Sequence, residues 1–194
     1  MIIKLLFFFL NLNYFTFSET DEDAASYARY FVETEIKGHF ATFSAKDNSV
    51  FSSLEDFSQS STQNGSLIFL LANIGTVSRN LEKNPIASFE INVHNCSEWN
   101  FDEMPYDPLA CSRVTFNGWF QKSDLPANST NPDFLAFAAK HPASFVWSYY
   151  SPHAFNLWSM HIKNIYYVGG YGDLHYIGNI DPELYFQAKP YPPA

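Results

Sequence analysis

The sequence is poor in positive charge. Lys and Arg together number 11 against 20 Asp and Glu, so the formal net charge at pH 7 is −9. The basic residues are scattered along the chain and form no cluster. Proteins that bind nucleic acids or anionic membranes use clusters of Lys and Arg to neutralise phosphate groups. The composition therefore argues against both kinds of partner.

Long apolar runs are also scarce. A helix needs about 20 consecutive apolar residues to span a bilayer, and no segment after residue 18 approaches that length. We therefore predict that the folded protein has no membrane span.

The N-terminal segment carries a shorter apolar run. Residues 5–17 follow the single charge of Lys4, are interrupted by asparagines, and precede the small residue Ser18 and an acidic segment. This pattern predicts a secretory signal peptide over residues 1–18. The alternative, a transmembrane anchor, is weaker because the asparagines break the run. We therefore expect the mature protein to be secreted, in the extracellular space or the endolysosomal lumen.

Cysteine is rare, since Cys96 and Cys111 are the only two in the chain. In an oxidising compartment an even number of cysteines predicts a disulfide, so we expect a Cys96–Cys111 bridge, with two buried thiols as the alternative. The six histidines form no His-x-x-His pair. Because two cysteines alone cannot build a structural zinc site, we predict no metal site.

Three Asn-x-Ser/Thr sequons begin at Asn64, Asn95 and Asn128. None has proline in the middle position, and behind a signal peptide such sequons are N-glycosylation acceptors. Asn128 is the strongest of the three, because its acceptor is Thr130 and Pro126 marks an exposed turn. We therefore predict a glycoprotein with glycans on these asparagines.

Aromatic residues are abundant, with 20 Phe, 12 Tyr and 4 Trp, as is typical of a β-rich core. Alternating or continuous apolar residues predict about six strands, with a possible short return strand over residues 174–177. The six segments are 39–44, 50–57, 67–71, 86–94, 112–121 and 155–168. Helical patterns cover 23–34, 76–84 and 131–141, and a last helical turn begins at 181. The pattern favours a mainly β (α+β) fold, an antiparallel barrel with peripheral helices.

Three stretches in this order carry a family resemblance. They are residues 28–32 with 38–42, residues 77–87, and residues 155–172 with 181–185. The second contains Asn-Leu-x-x-Asn-Pro-x-Ala and the third a Gly-Gly-aromatic-Gly turn. Together they resemble the CREG family of secreted glycoproteins, within the pyridoxamine-5′-phosphate-oxidase-like, FMN-binding split-barrel superfamily. The resemblance implies a six-stranded antiparallel split β-barrel over residues 19–188, followed by a Pro-rich tail over residues 189–194, and a homodimer.

The resemblance also implies a function. CREG-like members are secreted or endolysosomal glycoproteins that bind cell-surface or sorting receptors and have lost flavin chemistry, so we expect no catalytic residues and no cofactor. The alternative is an FMN-dependent oxidoreductase. Arg79 stands where flavin-binding relatives often carry Arg or Lys, and with Ser78 it could contact the FMN phosphate. Otherwise Arg79 is a solvated helix residue beside Glu82.

Overall fold

The structure is a computed structural model that describes residues 19–93, 111–147, 153–170 and 175–193. Several predictions therefore fall on residues outside this description. They are the signal peptide over residues 1–18, the sequon at Asn95 and the cysteine at Cys96.

Within these described ranges, eight strands form one antiparallel sheet. Their bounds are β1 Lys37–Phe43, β2 Val50–Asp56, β3 Ser58–Gln59, β4 Leu67–Ala72, β5 Ile86–Asn92, β6 Arg113–Lys122, β7 Phe155–Val168 and β8 Ile177–Ile180. The order is β2-β1-β5-β6-β7-β4-β3, and β8 pairs with β7. The mainly β antiparallel fold is confirmed, but the count of six strands is not exact. Strands as short as the two residues of β3 and the four of β8 show no clear alternation.

The sheet must curl. β2 and β3 stand at opposite ends of the strand order, yet only Phe57 separates them along the chain. With neighbouring strands about 4.8 Å apart, a flat sheet would hold these two edges about 29 Å apart. A two-residue step spans at most about 7 Å. The two edges therefore approach each other, which is consistent with a split barrel.

Five helices surround the sheet within the described residues. Their bounds are α1 Asp21–Thr34, α2 Thr76–Lys83, α3 Pro132–Lys140, α4 Ser144–Trp147 and α5 Pro182–Gln187. Thr20 and Asp23 form a capping box at α1, and Asn131 caps α3 ahead of its first-turn proline. Both helices are predicted from the sequence, although α1 begins at Asp21, two residues before the predicted start at residue 23. The four-residue α4 is an element that the sequence patterns did not predict. No helix in the described ranges combines the length and the apolar character needed to cross a bilayer.

The core is rich in phenylalanine and lies on both sides of β4. On one side the rings of Phe40, Phe69 and Phe89 pack with centroids 4.8–5.0 Å apart. On the other side Ile68 and Leu70 pack under α3. The continuous apolar run of β4 therefore marks a strand buried on both faces.

Candidate functional site

An open cleft of about 600 Å³ lies on the sheet across β1, β5, β6 and β7, and we call it the sheet cleft. Its lining residues are Ala41, Thr42, Phe43, Val50, Ile86, Ala87, Ser88, Asn117, Gly118, Trp119, Lys163 and Asn164. Large apolar side chains remain exposed in its wall, among them Ile86 at 59% and Trp119 at 44%. A concave apolar surface of this kind is typical of a ligand pocket or of an interface with a partner.

A β-bulge and a glycine shape this cleft. The register between β6 and β7 shifts between Asn117 and Gly118. A Cβ atom at Gly118 would lie 2.0 Å from the backbone oxygen of His161. Only glycine permits this close approach of the two strands, so the local shape of the cleft depends on it.

Three polar side chains of the sheet cleft bond within the protein, whereas Asn164 is exposed. Ser88 Oγ donates to Asn117 Oδ1 at 2.6 Å, and Thr42 Oγ1 accepts from Asn80 Nδ2 at 2.8 Å. Asn80 is itself fixed, because its Oδ1 accepts from the backbone N–H of Ala45 at 2.7 Å. Lys163, which is exposed, is the one charged residue among the described lining residues.

An aromatic stack stands at one side of the cleft. The rings of Trp119 and His161 lie 3.7 Å apart and within 5° of parallel. His161 Nε2 is 3.1 Å from Gln121 Oε1, which orients the imidazole. Trp119 and His161 face each other in the β6–β7 register. The sequence analysis missed this pair because strand register is not visible in a single sequence.

The two residues predicted to contact an FMN phosphate lie on α2 and point apart. Ser78 is completely buried, whereas Arg79 is exposed. Successive residues of an α-helix project about 100° apart, and neither residue lines the sheet cleft. Glu82, expected beside Arg79, forms its ion pair with Lys122 at 3.3 Å. This arrangement fits a bound phosphate poorly, and the assignment of Ser78 and Arg79 to FMN stays a prediction.

A smaller cavity of about 170 Å³ lies where the ends of β2 and β4 approach, and we call it the seam cavity. Its lining residues are Glu55, Asp56, Leu70, Leu71, Ala72, Gly75, Val77, Ser78, Trp147 and Phe155. Burial raises the pKa of Glu55, and a hydrogen bond of 3.0 Å from Ser53 Oγ to Glu55 Oε1 opposes this shift. Two carboxylates in the lining make the seam cavity unsuitable for a phosphate group.

The family model of the CREG beta-barrel matches residues 19–187. The chain belongs to the CREG beta-barrel family. No curated protein matches the sequence. A heme binding protein from Mycobacterium smegmatis is similar in structure, with 23% identity and a TM-score of 0.69 over 86% of this chain and 61% of that one. The chain thus spans less than two thirds of that protein's length.

Two other structures are similar at lower identity. HutZ, the heme storage protein from Vibrio cholerae, has 18% identity and a TM-score of 0.52 over 72% of this chain and 91% of its own. Protein Atu2129 from Agrobacterium tumefaciens has 18% identity and a TM-score of 0.56 over 76% and 57% of the two chains. At these identities the similarity shows the fold alone. It agrees with the split barrel that the CREG resemblance predicts.

A buried cation is a feature of this CREG beta-barrel protein that the sequence analysis did not identify. Arg29 is fully buried, and its Nη2 donates to Asn64 Oδ1 at 2.5 Å and Gln59 Oε1 at 3.3 Å. Its guanidinium carbon lies 5.4 Å from the centre of the Tyr185 ring. The sequence contained a signal for the burial of Arg29, because Arg29 is four residues after Ala25 and therefore lies on the same, apolar face of α1.

The two described sequons are on the surface. Asn64 and Asn128 are exposed, and Asn128 Oδ1 accepts from the backbone N–H and the hydroxyl of Thr130 at 2.9 and 2.7 Å. The hydrogen bonds from Arg29 to Asn64 and from Thr130 to Asn128 both end on Oδ1 of the asparagine. An N-glycan is attached to the other amide atom, Nδ2. The predicted Cys96–Cys111 disulfide stays a prediction, because Cys96 lies outside the described residues.

Proposed function

We propose that this CREG beta-barrel protein is a secreted or endolysosomal glycoprotein that acts by binding partners and catalyses no reaction. The observation that carries the proposal is the chemistry of the sheet cleft. Its wall is largely apolar, the polar side chains of Thr42, Ser88 and Asn117 are bonded within the protein, and the lining residues Lys163 and Asn164 are exposed to solvent. A surface without a preorganised polar constellation suits association better than catalysis.

We assign the sheet cleft to a homodimer interface. Phe43, Val50, Ile86 and Trp119 line it with exposures of 38%, 76%, 59% and 44%. Apolar and aromatic side chains gathered on a concave face are typical of the buried core of a homodimer interface. A second copy that covers them would remove this apolar surface from water.

The dimer assignment is tested by Ile86→Glu, measured by sedimentation of the purified protein. A carboxylate buried in an apolar interface is costly, so the variant should be monomeric. Leu125→Glu is the matched control, because Leu125 is also 59% exposed and does not line the sheet cleft. A wild-type protein that is monomeric, or an Ile86→Glu variant that remains dimeric, would contradict the assignment.

The proposed function also includes N-glycosylation and binding to a receptor. The exposure of Asn64 and Asn128 supports glycosylation at both sites, and a cell-surface or sorting receptor could recognise the glycans or the protein surface. Mass spectrometry of the product secreted by a eukaryotic cell should show a mature N-terminus near residue 19, glycan on these asparagines and oxidised cysteines. An unglycosylated, reduced protein retained in the cytosol would refute the proposal.

A flavin-dependent oxidoreductase is the second candidate. The sheet cleft, at about 600 Å³, lies in the size range of cofactor pockets, and the indole of Trp119 offers a ring for stacking. If FMN binds with its phosphate at α2, Arg79→Ala should weaken binding by about 10- to 150-fold, since one charge-assisted hydrogen bond contributes about 1.5–3 kcal/mol. A flavin supplies redox chemistry, and the protein supplies its orientation.

One titration separates the two candidates. The purified protein is analysed for flavin released on denaturation and is then titrated with FMN and with hemin, because two of the similar structures are heme proteins. A colourless protein that binds neither probe supports the non-catalytic function. Stoichiometric bound flavin that one substrate reduces and a second substrate, an electron acceptor, reoxidises would overturn it.

A further inference from the structure

The seam cavity lies at the edge of the sheet where two strands approach without pairing. β4 pairs with β3 only through Leu67 and Ile68. The last residues of β4, Leu70 to Ala72, therefore extend beyond β3 and border the cavity, with the end of β2 opposite them. A pocket at this seam is open to solvent and is separate from the sheet cleft.

The charge of the seam cavity is negative. Glu55 and Asp56 both line it, and no Lys, Arg or His is among its described lining residues. Neither carboxylate forms an ion pair within the described part of the chain. Lys37 faces Asp56 in the β1–β2 register but does not line the cavity. A partly buried carboxylate without a cation is unfavourable, so the cavity favours a ligand with positive charge.

A buried hydroxyl adds a second, independent observation. Ser78 is 0% exposed, lines the cavity, and its Oγ has no hydrogen-bond partner in the described structure. A buried polar atom left without a partner costs about 1–3 kcal/mol, so native proteins rarely retain one. An N–H donor in the cavity would satisfy this oxygen.

Aromatic rings form another wall. The ring centroids of Trp147 and Phe155 are 5.9 Å apart, with an interplanar angle of 32°, and both residues line the cavity. The faces of aromatic rings attract ammonium groups, most strongly when water is excluded. Leu70, Leu71 and Val77 add an apolar surface for a short hydrocarbon chain.

The size of the cavity selects among cations. A water molecule takes about 30 Å³ in the liquid, so a volume of about 170 Å³ holds about five or six atoms of that size. A bare metal ion is a poorer match, because it prefers three or more oxygen, nitrogen or sulfur ligands. Among the described residues no group of three or more His, Cys, Asp or Glu is placed to hold one.

We propose that the seam cavity binds the ammonium group of a short alkylamine, with Glu55 and Ser78 accepting its N–H bonds, Asp56 adding negative charge, and Trp147 and Phe155 enclosing it. The ammonium group of a free amine and that of a lysine side chain share this chemistry. The site requires no catalytic activity and does not depend on the dimer assigned to the sheet cleft.

The test uses isothermal titration calorimetry on the full mature protein. The probes are n-butylammonium, N-acetyl-lysine methylamide and butyrate, the last being an anion with the same carbon chain. Both ammonium probes should bind if a partner's lysine is the ligand, and n-butylammonium alone should bind if the cavity accepts only a free amine. Butyrate should not bind in either case.

Variants locate the site. Glu55→Gln should weaken n-butylammonium binding by about tenfold or more, because hydrogen bonds between charged groups contribute about 1.5–3 kcal/mol and about 1.4 kcal/mol is tenfold. Ser78→Ala should weaken it by a smaller factor. Glu33→Gln, at an exposed position on α1, is the matched control and should bind normally. Asp56→Asn provides a second neutralising variant if Glu55→Gln fails to fold, and thermal melting checks the fold of each protein.

The outcomes decide the proposal. Selective binding of an ammonium probe that Glu55→Gln or Asp56→Asn weakens would support it. Absence of binding at millimolar concentration, equal binding of butyrate, or unchanged affinity in the folded variants would overturn it.

Discussion

Removing the side chain of Asn64 should destabilise the fold, independently of any glycan. Asn64 Oδ1 accepts the bond of 2.5 Å from the buried guanidinium of Arg29 and one of 3.0 Å from Gln59 Nε2. A hydrogen bond to a charged group contributes about 1.5–3 kcal/mol to stability. In Asn64→Ala, Arg29 keeps only the longer bond of 3.3 Å to Gln59. We therefore expect the free energy of unfolding to fall by about 1.5–3 kcal/mol.

Ser66→Ala removes the same sequon with much less damage. Ser66 Oγ makes a bond of 3.4 Å to the backbone oxygen of Met160, at the long end of hydrogen-bond geometry. Its loss should cost about 0.5 kcal/mol, the lower limit for a neutral hydrogen bond. Asn128→Ala, at an exposed position, should change stability by less than about 0.5 kcal/mol.

The assay is urea denaturation of protein made in a bacterial periplasm, where the disulfide can form and no N-glycan is added. The three variants then differ only in their side chains. In an Arg29→Met background the cost of Asn64→Ala should shrink, because the charged donor is absent. Equal destabilisation by Asn64→Ala and Ser66→Ala would refute the role of Asn64 as the acceptor for the buried cation.

Other predictions concern the core, the bulge and pH. Phe89→Ala, at a completely buried position, should cost about 3–5 kcal/mol in urea denaturation. Gly118→Ala should lower the free energy of unfolding by about 1–3 kcal/mol, because the added Cβ would meet the backbone oxygen of His161. Gly178→Ala should lower it by less, because there the added Cβ would meet the movable hydroxyl of Tyr176. Burial lowers the pKa of Lys140 to about 8. The Lys140 amine therefore binds its proton more tightly in the unfolded chain than in the folded protein. The free energy of unfolding should therefore rise from about pH 8 toward about pH 10. Lys140→Met should lack this rise.

The secondary structure was largely predictable because its signals are local. The capping box of Thr20 and Asp23, the cap of Asn131 and the apolar run of β4 each lie within a few residues. Where the local signal was weak, prediction was wrong or incomplete. The predicted return strand over residues 174–177 ends where β8 begins, at Ile177, and the four-residue α4 was not predicted.

The functional site was less predictable, because it depends on which strands become neighbours. Ser78 and Arg79 are adjacent in sequence, which suggested a joint phosphate contact, yet the helix directs one inward and the other to solvent. Trp119 and His161 are far apart in sequence but stack across β6 and β7. No spacing rule in a single chain predicts such a pair.

The amino-acid sequence by itself determined the family, the antiparallel β architecture and the capped helices, because caps, alternation and family motifs act over short stretches of chain. Tertiary structure alone decided that β2 and β4 meet at a seam, where Glu55 joins Trp147 and Ser78 around one cavity. It also decided that Arg29 is buried against Asn64. Contacts between residues so distant along the chain form only when the sheet curls and its edges approach.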